Sequence, residues 1–106
     1  MANKINGDRW VFTTTTSKSD EEALKGFYQI LGIFWTSDEA SAKDIAADDD
    51  LYITDKNDLK IISKRAESAG DDLGIVCSYP GLPVQGFKVK IMDGGTLTIW
   101  RVLPYV

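Results

Sequence analysis

The alternation of apolar and polar side chains is sharpest toward the end of the 106-residue chain. Phe87, Val89 and Ile91 alternate with Lys88, Lys90 and Met92, the period of two that gives a strand one dry face. Leu97 and Ile99 alternate in the same way with Thr96, Thr98 and Trp100. Between the two runs stands Asp93-Gly94-Gly95, whose residues tolerate the positive φ of a tight turn. The stretch from Leu82 to Val102 therefore predicts a β-hairpin, the element around which the rest of the chain is expected to organise.

Shorter runs of the same kind precede it. Arg9 to Thr16 is rich in aromatic and β-branched residues and reads as a first strand, with Trp10 and Phe12 on one face and Val11 on the other. Asn6-Gly7-Asp8 before it is a turn signal. Ser17 to Lys25 predicts a loop with at most one helical turn, capped at Ser19 with Glu22 three residues on. Gly26 to Trp35 is the longest strand, apolar on both faces, with Gly32 marking a bulge or a close backbone approach. Thr36 to Ala47 reads as a surface loop. Leu51 and Ile53 form one face of a strand ending at Asp55, and Asp55-Lys56-Asn57-Asp58 turns the chain into a return strand with Leu59 and Ile61 inward. Ala66 to Asp72 is a loop around Gly70, Leu73 to Tyr79 a further strand, and Pro80-Gly81-Leu82-Pro83 a break.

Seven or eight short antiparallel strands at this spacing predict an all-β fold, a β-sandwich or a jelly-roll-like barrel. The length suits one domain over residues 1–106, with a short N-terminal arm and a C-terminal tail, Leu103-Pro104-Tyr105-Val106. A net charge of −4 argues against nucleic acid as a partner, which calls for a basic patch. The longest apolar run, Ile30 to Trp35, falls far short of the roughly 20 residues of a membrane span, so no membrane partner is expected. The first residues lack the apolar core of a signal peptide.

Candidate chemistry is sparse. The chain has no histidine, which removes the commonest general base and metal ligand, and its single cysteine, Cys77, reads as a small core hydrophobe. Acidic clusters at Asp48-Asp49-Asp50, Asp55-Asn57-Asp58 and Asp71-Asp72 admit a cation site or, more simply, turn-forming aspartates. The segment from Asp55 lacks the sixth-position glycine of an EF-hand, having Lys60-Ile61 there, and ends on Ala66 where that loop has Glu. No catalytic residue, cofactor or metal site is assigned, and no enzymatic activity is expected.

The aromatic residues carry more information. Trp100 is out of phase with Leu97 and Ile99, and Trp35, Phe27 and Leu31 form a second out-of-phase set. Either the second sheet face is covered within the domain or these rings meet another subunit. A domain this small has little to spare for covering both faces, which favours partner contact.

The ordered set Ile30-Leu31-Gly32-Ile33-Phe34-Trp35-Thr36, Asp50-Leu51-Tyr52-Ile53-Thr54-Asp55, Leu82-Pro83-Val84-Gln85-Gly86-Phe87-Lys88-Val89 and Asp93-Gly94-Gly95-Thr96-Leu97-Thr98-Ile99-Trp100 resembles small β-sandwich virion structural proteins of tailed bacteriophages. The resemblance spans about residues 26–102; the loop from Ser37 to Asp49, the Ser17–Leu24 insertion and the tail beyond Val102 depart from it. It implies a capsid decoration or cement protein that bridges capsid subunits, assembled in the bacterial host cytoplasm and located on the capsid surface of the virion. Its partners would be the major capsid protein and further copies of itself. The alternative is a phage tail or host-adhesion module that binds carbohydrate. Trp10, Trp35 and Trp100 are the expected interface anchors, with Tyr105 in the tail as a peg.

Overall fold

A computed structural model describes residues 3–37 and 44–102. The protein is mostly β: nine antiparallel strands among the described residues form two open sheets, of six and three strands, packed as a sandwich with one short helix. The strands are β1 (Lys4–Asn6), β2 (Arg9–Phe12), β3 (Phe27–Thr36), β4 (Asp50–Thr54), β5 (Lys60–Arg65), β6 (Leu73–Val76), β7 (Leu82–Gln85), β8 (Lys88–Met92) and β9 (Thr96–Arg101), and the helix is α1 (Lys18–Ala23). The larger sheet runs β1-β2-β9-β3-β6, with β7 also paired to β3; the smaller runs β5-β4-β8. The two short strands β1 and β7 lie outside the sequence expectation, which took them for an arm and a break.

The predicted β8–β9 hairpin is not formed. β8 pairs with β4 in the small sheet, and β9 lies between β2 and β3 in the large one. Asp93-Gly94-Gly95 is therefore an arch that carries the chain from one sheet to the other. Asp93 stays with β4: its backbone N–H donates to the Asp50 carbonyl at 3.1 Å, and its carboxylate accepts from the Asp50 N–H at 2.8 Å. The carbonyl of Gly94 accepts a hydrogen bond from Trp35 Nε1 at 2.8 Å, inside the core. Gly95 has a φ of +78°, and a Cβ there would stand 2.6 Å from Ile45 Cγ1 and 2.9 Å from the Thr36 carbonyl oxygen. Glycine satisfies a hairpin and an arch equally well; only the closeness of the second sheet distinguishes them.

Register shifts set which side chains are buried. Between Ile30 and Gly32 the pairing of β3 with β9 slips by one residue, the first of the two readings, bulge or close backbone approach, that Gly32 allowed. The slip resets the alternation, so Ile30, Ile33 and Trp35 all face inward against Leu97 and Ile99. A second slip opposite Tyr52 and Ile53 of β4 leaves Phe87 and Val89 sealed, turns Met92 toward the core and leaves Ile91 exposed. A third, between Ile53 and Thr54 in the pairing with β5, brings Ile62 opposite Ile53. Leu59, expected inward, precedes β5 and is 66% exposed.

The core joins both sheets. Trp10 is its hub, edge-on to Tyr28 at 4.8 Å, to Phe87 at 5.6 Å and to Phe12 at 6.5 Å between ring centroids. Ile45, the one large apolar residue of the expected surface loop, is buried there too. Helix α1 runs for six residues and is capped by Ser17, not Ser19. Ser17 Oγ accepts from the Asp20 N–H, and the Asp20 carboxylate accepts from the Ser17 N–H and from Asn3 Nδ2. That last bond ties the cap to the arm before β1, which favours the earlier box. Leu24 just beyond the helix is buried.

Candidate interaction surface

Of the three expected anchors that lie among the described residues, one is on the surface. Trp10 and Trp35 are sealed in the core, so they brace the sandwich and do not meet a partner. The sequence placed Trp35 out of phase because the slip at Gly32 cannot be counted through by simple alternation. Tyr105 lies outside the described residues. Trp100 is 38% exposed on the outer face of the large sheet.

Strand register builds the surface around Trp100. In one row across the sheet stand Arg9, Trp100, Gly32 and Val76; in the next stand Lys4, Val11, Thr98, Phe34 and Gly74. The ring of Phe34 lies along the sheet between the two glycines. A Cβ on Gly32 would meet the ring at 2.6 Å, and one on Gly74 at 3.5 Å. The glycines thus let an aromatic ring lie against the backbone, giving a flat, uncharged centre from β9 to β6. Cations stand at one end: the Arg9 guanidinium lies 5.5 Å over the Trp100 ring. Lys4, Gly7, Asp8, Arg9, Val11 and Trp100 line a shallow hollow of about 260 Å³ there. Phe34 and Gly74 were missed by sequence reasoning, though Gly32, read there as a bulge or a close backbone approach and covered by the Phe34 ring, was a usable signal.

The outer side of the small sheet is different. Arg65 Nε donates to Asp50 at 2.9 Å across the β4–β5 pair. Lys88 bridges Asp58 at 3.2 Å and Glu21 at 3.4 Å, and Lys90 reaches the same Asp58 at 3.1 Å. Hydrogen bonds from Lys90 and Lys88 hold the Asp58 carboxyl below its usual range, and Asp58 in turn raises Lys88. Arg65 does the same for Asp50. Asp71 is lowered first by the Glu67 N–H and then by Lys64.

The acidic clusters mostly serve turns. Asp55 accepts backbone N–H bonds from Asn57 and Leu59, closing the predicted β4–β5 hairpin, and the buried Asp49 carboxylate accepts from the Ala46 N–H at 2.8 Å. Among the described residues no three acidic or cysteine side chains gather around a common point. Cys77, expected as core filler, follows the end of β6 and is only half-buried. No helix among the described residues is long and apolar enough to cross a membrane. Comparison with protein-family models, curated proteins and solved structures finds no match for this chain.

Proposed function

We propose that this protein is a structural component of a tailed-bacteriophage virion, a decoration or cement protein that bridges subunits of the capsid. The observation that supports this most is the apolar patch on the outside of the large sheet, with Trp100 and Val76 in one cross-strand row and Phe34 in the next, in a position to lie against a broad protein surface. Trp100 is the anchor, an indole backed by the sheet and flanked by Arg9, the residue types on which interface energy concentrates. Repetition by capsid symmetry lets a modest patch per copy suffice, because a protein that touches several subunits at once gains avidity. Cosedimentation with purified heads tests the reading. The wild-type protein is expected to saturate the capsid, and Trp100→Ala to lose most of its occupancy with an unchanged circular dichroism spectrum. Unchanged occupancy would count against it.

The hollow beside Trp100 favours one second reading. An exposed indole bordered by Arg9, Asp8 and Lys4 offers a stacking platform with polar groups at its rim, as a carbohydrate-binding host-adhesion module uses. Binding on a glycan array, lost in Trp100→Ala, with no binding to heads, would select that alternative.

A further inference from the structure

Open sheets leave edges, and an unpaired edge invites another strand unless something blunts it. Most edges of this sandwich are blunted. β1 is three residues long and begins with Lys4. β7 contains Pro83, and its Gln85 carbonyl accepts the Lys56 N–H at 2.9 Å. β5 carries Lys60, Lys64 and Arg65 and a register shift. β8 carries Lys88 and Lys90, and the Thr16 N–H caps its Val89 carbonyl at 3.1 Å.

β6 is also short, at four residues, but has none of the other devices. Its sequence is Leu73-Gly74-Ile75-Val76, with no charge and no proline, and its pairing with β3, its one strand neighbour among the described residues, is unbroken. Val76 is 79% exposed. The Cys77 N–H just beyond the strand donates to the Leu31 carbonyl at 2.8 Å, on the β3 side. By the period of two, Leu73 and Ile75 also direct their backbone groups to β3, and Gly74 and Val76 direct theirs outward.

We propose that β6 is a pairing edge for β6 of a second copy of this chain, antiparallel about a twofold axis at Ile75. Gly74 then faces Val76 of the second copy, and each exchanges both of its outward backbone hydrogen bonds, with the valine side chain beside a glycine that has none. Inward residues fall opposite inward residues, as a continuous sheet requires. Asp72 falls opposite Ser78 of the second copy, so the Asp71-Asp72 carboxylates lie at opposite ends of the pair, where they do not repel, and a hydroxyl donor meets an acceptor. The outer row of Trp100, Gly32 and Val76 in each copy then continues into the row of Gly74, Phe34 and Thr98 in the other, making one face. The pairing does not depend on the capsid reading, since it forms in the isolated protein.

Sedimentation equilibrium of the full chain up to about 1 mM, with amide hydrogen exchange, tests this. A monomer–dimer equilibrium is expected, with the Gly74 and Val76 amides protected more strongly as concentration rises. Val76→Lys places a charge at the edge on an exposed position and is expected to weaken dimerisation by about tenfold or more, with far-ultraviolet circular dichroism unchanged. A wild-type protein that stays monomeric throughout overturns the proposal, as does a dimer that Val76→Lys leaves intact or whose Gly74 and Val76 amides exchange freely. Either failure leaves the loss of capsid occupancy in Trp100→Ala to be judged by itself.

Discussion

Trp35 and Trp100 stand on neighbouring strands of one sheet, and they have opposite fates. Trp35 faces Leu97 on the inner side, has no exposed surface and donates a hydrogen bond to the Gly94 carbonyl. Trp100 faces Gly32 on the outer side and is left partly in solvent. The chemistry of the residue is the same; the slipped register at Gly32 turns Trp35 inward, and unbroken alternation with the inward Leu97 and Ile99 turns Trp100 outward. The buried indole closes the sandwich, while the exposed one keeps apolar surface in contact with solvent.

The contrast can be broken from either side. The largest effect is expected for Trp35→Ala, which empties an indole-sized volume and orphans the buried Gly94 carbonyl. It should cost about 4 kcal/mol in denaturant unfolding, enough to threaten folding outright. Trp100→Ala should cost under about 1 kcal/mol in the same measurement, because the ring is only partly buried. If the two variants lost similar stability, Trp100 would be a core residue and the proposed docking surface would lose its anchor. The smallest effect belongs to the ion-paired outer side of the small sheet. The Asp58 carboxyl is held below the ordinary aspartate value of about 3.9, so its contribution is complete above that pH and is lost as the pH falls through its lowered folded value. Asp58→Asn should therefore be slightly less stable at neutral pH and should lose less stability on acidification below about pH 4. A wild-type stability flat through that interval would show that the Lys88 and Lys90 pairs contribute nothing.

The two outer sides differ for a reason that bears on function. Across the small sheet the charges at Asp50, Asp58, Arg65, Lys88 and Lys90 satisfy one another and stay hydrated. Across the centre of the large sheet, from Trp100 through Phe34 to Val76, there is no charge to hydrate. The first is a finished solvent surface; the second gains by being covered.

Much of this was legible along the chain. The strands read from Arg9 to Thr16, from Gly26 to Trp35 and up to Asp55, observed over Arg9–Phe12, Phe27–Thr36 and Asp50–Thr54, the Asp55–Asp58 turn and an irregularity at Gly32 all follow from alternation and turn chemistry. Trp100 was readable as outward-facing because no slip separates it from Leu97 and Ile99. Trp35 was not, because a bulge displaces every residue on one side of it by one face, and a sequence marks the bulge without saying which strand absorbs the extra residue. Gly32 and Gly74 as a bed for Phe34 depend on β3 lying beside β6, strands about forty residues apart in the chain.

By itself, then, the amino-acid sequence determined an all-β protein, the places where its chain turns, and the residues with enough apolar surface to need covering. These follow from local backbone preferences and side-chain periodicity, which act within a few residues. Tertiary structure alone decided that Asp93-Gly94-Gly95 arches between sheets instead of closing a hairpin, and that β6 is left at an edge. A strand carries two equivalent sets of backbone groups, and which neighbours take them is settled only when all the strands compete to cover one core.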